Sequence, residues 1–167
     1  MVFFVRSASE KDAEAIRALL VETWHATYDG FYGEAKVNEL IAAWHSLAAI
    51  KGNIGKRDGE YLVADDGRQI GGIGFAAMSQ TMTKTALLRQ LYVRPSFQGH
   101  GIGRDIFAEL ETCFPDAEIM RIEVEPRNAR AISFYNRLGF VEVDRTKNCG
   151  GEASGIEALV MEKRLFG

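Results

Sequence analysis

Apolar residues recur at Ala13, Ile16, Leu19, Leu20 and Trp24, the three-and-four spacing of one helical face, so the pattern predicts an amphipathic helix over residues 10 to 26. Ser9 stands before it as an N-cap, and Glu10 and Asp12 occupy the first turn, where negative charge is favourable. Tyr28-Asp29-Gly30-Phe31-Tyr32-Gly33 is expected to break this helix. A second helical period runs through Val37, Leu40, Ile41, Trp44 and Leu47 and is broken by Gly52 and Gly55. Ahead of both helices, Phe3-Phe4-Val5-Arg6 is a short opening strand.

The period then changes from helix to strand. Residues 60–64 are strand-like, Asp65-Asp66-Gly67-Arg68 is a hairpin turn signal, and residues 69–78 and 84–93 continue as two further strands, so an antiparallel meander is expected. Ile102, Ile106, Phe107 and Leu110 mark the next helix. Residues 119–124 form a strand in which Arg121, Glu123 and Glu125 alternate with Ile122 and Val124, leaving Glu123 on a polar face. Asn128 can cap a helix that Gly139 terminates after Leu138, and strands at 140–146 and 156–163 follow. The order βααβββαβαββ predicts one α+β domain over residues 1–167, with strand–helix–strand crossovers in its second half.

Composition narrows the function classes. At 167 residues, 47% hydrophobic and 26% charged, the chain reads as a soluble globular domain. A net charge of −3, with Lys and Arg scattered singly, speaks against a nucleic-acid partner. No apolar run has the length of a membrane span, and the start lacks a signal peptide's basic region and cleavage site, so no membrane partner is expected. Cys113 and Cys149 sit in no metal-like spacing and read as unpaired thiols of a reducing compartment, which makes a cytoplasmic location the expectation and a metal site not expected.

The run Gln98-Gly99-His100-Gly101-Ile102-Gly103-Arg104 lies between a strand and a helix, where a glycine-rich loop can turn its backbone N–H groups toward a phosphate. A dinucleotide fingerprint needs a third glycine where Arg104 stands, and a P-loop needs Gly-Lys-Ser/Thr, which is absent. A dinucleotide-binding enzyme is therefore the weakest reading. Leu91-Tyr92-Val93-Arg94-Pro95 followed by Gln98-x-x-Gly101-x-Gly103 resembles the acetyl-CoA motif of the GNAT-type N-acetyltransferase superfamily. The run from Asn128 through Phe134-Tyr135 to Gly139-Phe140 is similar to that family's second signature, and together the motifs cover about residues 84–143.

The resemblance implies a single-domain GNAT-like fold: a mixed central sheet with an antiparallel N-terminal meander and a splayed parallel pair at the cofactor site, flanked by helices. It also implies acetyl-CoA as co-substrate. Leu91, Tyr92 and Val93 would flank the pantetheine arm, while Gln98, Gly99, His100, Gly101, Ile102, Gly103 and Arg104 would grip the pyrophosphate. Asn128 would contact the cofactor, and Tyr135, seven positions on and on the same helical face, would bind it and protonate the departing thiolate. The implied reaction is direct transfer to an amine, with no acyl-enzyme. Other readings stand beside these: Tyr135 as a core aromatic, Asn128 as an N-cap, Arg104 as a solvated helix residue.

Glu123 occupies a position that some members of the family use as general base, and it also fits a solvated, salt-paired face. Gln90 stands where many members carry a Glu on the strand before the loop and cannot act as a base, which directs attention to Glu123, a water relay, His25 or His45. In this fold the first helices line the acceptor site. Here Trp24 and Tyr28 share one helical face and His25 and Asp29 pair at the same spacing, so these four are the candidate substrate residues. Four acidic residues and one Lys between Glu22 and His45 suit a cationic amine, or a solvated acidic face. The expected acceptor is a small amine or polyamine, or else a peptide or protein amine. Members of the family commonly dimerise, so a homodimer is an expectation. The alternative from another class is a non-catalytic acyl-CoA-binding or sensing module: the Asn128/Tyr135 pair favours the enzyme, and Gln90 leaves room for the binder.

Overall fold

The computed structural model describes residues 2–150 and 154–165. The chain runs β1 (Phe4–Ser7), α1 (Ala13–Tyr32), α2 (Glu34–Trp44), α3 (Leu47–Ile54), β2 (Gly59–Asp65), β3 (Ile70–Met78), β4 (Thr85–Val93), α4 (Ile102–Leu110), β5 (Ile119–Val124), α5 (Ala129–Leu138), β6 (Val141–Thr146) and β7 (Ala158–Arg164). The strands form one seven-stranded sheet in the order β1-β2-β3-β4-β5-β7-β6. The α+β class and the mixed sheet agree with expectation: β1–β2 and β2–β3 are antiparallel and β4–β5 is parallel.

Three details of the helical region differ from the sequence reading. The first helix does not break at Tyr28–Gly33 but runs through Gly30 to Tyr32, and Gly33 ends it. Tyr28 packs against Phe31 and Tyr32 with ring centroids 6.5 and 6.0 Å apart, and this packing outweighs the roughly 1 kcal/mol cost of one helical glycine. The second helical period divides into α2 and α3. His45 closes α2, and Ser46 caps α3 by accepting the Ala49 N–H on its hydroxyl at 3.1 Å. Gly52 lies inside α3 without breaking it. At the start, Ser9 opens a 3-10 turn over Glu10–Asp12, and α1 proper begins at Ala13.

The chain forms two compact units, the first made of residues up to Ala77 with Gln90–Cys113, the second of Met78–Arg89 with the chain from Phe114 onward. In the first unit Ile16, Leu19 and Leu20 of α1, Val37 and Ile41 of α2, Val63, Ile73 and Phe75 of the sheet, and Ile106, Phe107 and Leu110 of α4 are all buried. Helix α4 lies tight on β3 because of Gly74, where a Cβ would stand only 2.5 Å from Ile106 Cγ2. Arg6 binds both carboxylate oxygens of Asp12 at 2.9 Å and reaches Asp65 at 3.1 Å, joining β1, the start of α1 and β2. That guanidinium holds the Asp12 carboxyl below the usual carboxylate range.

In the second unit Thr85–Leu88 of β4 pair in parallel with Ile119–Ile122 of β5. Strand β7 pairs antiparallel with β5 on one side and β6 on the other. Met120, Ile122 and Val124 are buried while Arg121 and Glu123 are not, as the alternation predicts. Arg121 donates to Glu162 of β7 at 2.8 Å. Helix α5 ends at Gly139, whose left-handed φ of 103° lets its N–H return to the helix carbonyls.

Candidate active site

In the first unit β4 ends at Val93, a 3-10 turn over Pro95–Phe97 follows, and the glycine loop leads into α4. Gly99 and Gly101 have φ of 83° and 82°, left-handed values that L side chains rarely adopt. This backbone path carries the chain directly into the helix, and among the described residues no side chain caps the N-terminus of α4. The first-turn N–H groups of a helix have no intrahelical partner, so together with the dipole they make an anion site. Ile102 is buried and anchors the turn, whereas His100 and Arg104 are exposed. The Arg104 guanidinium folds over the loop, its Nη2 being 3.0 Å from where a Gly101 Cβ would lie. The Gln98 side chain donates to the Val93 carbonyl at 3.1 Å, which ties the loop to the strand end.

Leu91, Tyr92 and Val93 are half-buried, and the parallel pairing to β5 stops at Leu88 although β4 runs on to Val93. Of the main-chain groups that the resemblance offers to pantetheine, the Val93 carbonyl is thus already engaged by Gln98. Arg94 fixes the strand end through its N–H to the Gly71 carbonyl and its Nε to the Ile70 carbonyl, both at 2.9 Å, and through an ion pair with Glu22 of α1.

Also in this unit, Trp24 is the centre of a ring cluster. Its centroid lies 4.6 Å from Tyr28, 5.8 Å from Trp44, 4.9 Å from His45 and 6.3 Å from Tyr92. His25 Nδ1 lies 2.7 Å from Asp29, and its Nε2 lies 3.0 Å from Asn38 Oδ1, so this pair also links α1 to α2. Burial pushes His45 down to about 4, against a smaller opposing effect of the Trp44 backbone, so its imidazole is neutral at pH 7. Gln90 is buried and accepts the Tyr61 hydroxyl at 2.8 Å, while burial raises the Tyr61 phenol above its ordinary value. At the place of a possible carboxylate base the chain thus has a neutral hydrogen-bonded pair.

In the second unit Asn128 caps α5, its Oδ1 accepting the Ala131 N–H at 3.1 Å, so the N-cap role read from sequence is present. Tyr135 is buried, with Phe134 and Phe140 packed edge-on at 5.2 and 5.5 Å. Glu123 accepts the Gly150 N–H at 3.1 Å. Burial, with Glu123 and Glu125 adding, pushes the neighbouring Cys149 thiol up to about 12. Burial likewise raises the Cys113 thiol, so both cysteines are protonated at neutral pH. These partners of Glu123 come from the connection between β6 and β7, where no periodic pattern in the sequence announces them. Among the described residues no cluster of His, Cys, Asp or Glu is arranged to hold a metal ion, and no helix is long and apolar enough to cross a membrane.

Comparison with known proteins gives consistent matches. A family model described as an acetyltransferase (GNAT) domain matches residues 57–142. A spermidine N(1)-acetyltransferase of Thermoplasma acidophilum is 27% identical over 140 residues, 81% of this chain and 86% of that protein. A [ribosomal protein bS18]-alanine N-acetyltransferase of Haemophilus influenzae is 28% identical over 116 residues, 69% of this chain and 76% of that one. The crystal structure of the PaiA N-acetyltransferase of Thermoplasma acidophilum in complex with coenzyme A has the same fold, with a TM-score of 0.86 at 24% identity over 98% of this chain and 99% of that one.

Proposed function

The chain belongs to the GNAT acetyltransferase family and is an acetyl-CoA-dependent N-acetyltransferase; we propose that its acceptor is a primary amine of a small, polyamine-like molecule, acetylated by direct attack. The observation that carries the donor half is the uncapped start of α4 behind two left-handed glycines, which suits the CoA pyrophosphate. Gln98 to Arg104 bind that group, Leu91 to Val93 flank the pantetheine arm, and Asn128 orders α5. Residues 1–167 act as one acetyltransferase domain.

In the reaction the amine nitrogen attacks the thioester carbonyl, the N–C bond forms and the C–S bond breaks. Glu123 takes the proton from the nitrogen, directly or through water, and Tyr135 gives its phenolic proton to the thiolate. The base matters because an amine of pKa near ~10.4 is neutral in only about one part in 10³ at pH 7, a cost of roughly 4–5 kcal/mol. Two protonated thiols, one of them pushed up to about 12, offer no nucleophile for an acyl-enzyme, which favours direct attack.

A polyamine-like acceptor is supported by the relative named for spermidine, which matches the larger share of this chain, and by the Trp24, Tyr28 and Trp44 rings, whose faces attract cations. His25 and Asp29 complete the proposed acceptor wall. A second reading, an α-amine of a protein N-terminus, is favoured by the relative named for a ribosomal protein alanine. Initial rates of CoA release with spermidine, simple alkylamines, amino acids and Ala-initiated peptides separate them: turnover with amines supports the first reading, and turnover with peptides alone overturns it.

The enzyme works in the cytoplasm as a homodimer. The two free cysteines suit a reducing compartment. Strand β6 is last in the sheet order and exposes Val141 and Val143 by 60% and 48%. An antiparallel pairing of two β6 strands centred between Val143 and Asp144 sets Glu142 opposite Arg145, so the edge is complementary to itself.

A further inference from the structure

Among the described residues, three side-chain atoms of the first unit are shut off from solvent and make no hydrogen bond of ordinary geometry: Trp24 Nε1, His45 Nδ1 and His45 Nε2. Trp24 is 6% exposed and His45 4%, and their rings lie 4.9 Å apart. A buried polar atom without a partner forfeits its hydration for nothing, so native structures rarely keep one without a purpose. Here three fall on two touching rings. The rings around Trp24 are unlike it: Tyr28, Trp44 and Tyr92 are only half-buried. The cluster therefore has a polar, unsatisfied floor under rings that border solvent, and one of those rings belongs to the end of β4, where the thioester is proposed to lie.

We propose that this cluster is the closed form of the acceptor pocket: its rings part to admit an aliphatic amine, which donates an N–H to the unprotonated nitrogen of His45 while Trp24, Trp44 and Tyr28 face its charge. The inference rests on the amine-acetylating reading above. The neutral state of His45 suits the task, since a neutral imidazole keeps a lone pair for an ammonium that an imidazolium would repel. Water entering with the amine accepts from Trp24 Nε1–H and from the other His45 nitrogen. Opening is favoured because the closed packing leaves all three atoms unpaired, whereas the open form pairs them. His45 is a positioning residue in this scheme and not the base, a role that the proposed reaction gives to Glu123.

The chain's two tryptophans are Trp24 and Trp44, so tryptophan fluorescence, excited selectively over tyrosine, reads this cluster alone. Titrating the CoA-saturated protein with spermidine is expected to change the emission saturably, with a midpoint near the KM for that amine. Trp44→Phe, which leaves Trp24 as sole emitter, keeps the response. Constant emission at spermidine concentrations that saturate turnover overturns the pocket and leaves the acetylation reading standing. An emission change without turnover of any amine overturns the acetylation reading and not the pocket. Two substitutions supply a second readout. His45→Leu is expected to raise the KM for spermidine about tenfold or more while kcat stays close to wild type, because a hydrogen bond to a charged group is lost. His45→Gln, which restores a neutral acceptor, recovers most of that KM. A His45→Leu protein that melts lower with an unchanged KM identifies a structural histidine, and an equal loss of kcat in both variants identifies a base; either result overturns the proposal. Should His45→Leu fail to fold, the fluorescence titration of wild type and Trp44→Phe decides it.

Discussion

Tyr135 supplies the proton that the departing thiolate needs in the proposed reaction, and it does so from a buried position between Phe134 and Phe140. Tyr135→Phe keeps the ring packing and removes the hydroxyl. Its kcat at near-neutral pH is expected to fall by about 10²–10⁴-fold, the usual worth of a positioned acid, with CoA affinity by calorimetry unchanged. An unaltered kcat removes Tyr135 from that role. His45 gives a prediction about stability. Unfolded, it takes up a proton near pH ~6.5; folded, only near about 4. Between those values the unfolded chain binds more protons, so stability falls as the pH drops through that window. His45→Leu removes this dependence, and urea titrations at several pH values should show a shallower loss in the variant. Asp12 acts lower on the scale: its depressed pKa stabilises the fold above the ordinary carboxylate range, and this is lost on acidification. At this scale the sequence shows where a residue sits better than what it touches. The spacing of Asn128 and Tyr135 is readable from period alone. The unpartnered nitrogens of His45 and the Gly150 N–H on Glu123 depend on segments that only folding brings together.

Helix α4 illustrates how an element is aimed by its neighbours. Its position on β3 depends on Gly74, and the proposed anion-binding end on Gly101. Gly74→Ala would place a methyl group 2.5 Å from Ile106 Cγ2, and such overpacking costs about 1–3 kcal/mol of stability. Gly101→Ala meets a different penalty: the left-handed φ of 82° costs an L residue about 1–2 kcal/mol, and relaxing it turns the loop's N–H groups away from the pyrophosphate. Thermal melts with and without CoA separate the two. The first variant is expected to melt lower in both conditions with the CoA-induced shift intact, and the second to lose most of that shift. The helices also show where periodicity misleads. Gly30 and Gly52 look like breakers, yet ring packing carries α1 past the one and α3 spans the other. The actual division at His45–Ser46 lies inside an unbroken apolar period and is set by a single hydroxyl cap.

For the whole molecule, the local signals were strong where contacts are near in sequence. The β2–β3 hairpin, its Asp65–Arg68 turn and the parallel β4–β5 pair around α4 follow from period and turn chemistry. The order β5-β7-β6 does not, because β7 reaches β5 across the intervening α5 and β6, and only packing decides which strand takes the inner place. That order leaves β6 at the edge, and a homodimer formed there is expected to show twice the 18.5 kDa protomer mass by light scattering. Val143→Lys, which puts a charge on the edge, should give the protomer mass with kcat unchanged. The most direct test of the account is the initial rate of CoA release from acetyl-CoA by the purified wild-type protein, with spermidine or with an Ala-initiated peptide as acceptor. The account predicts saturable release with spermidine, matched mole for mole by acetylated amine. Release with the peptide alone, or none above the rate without an acceptor, contradicts it.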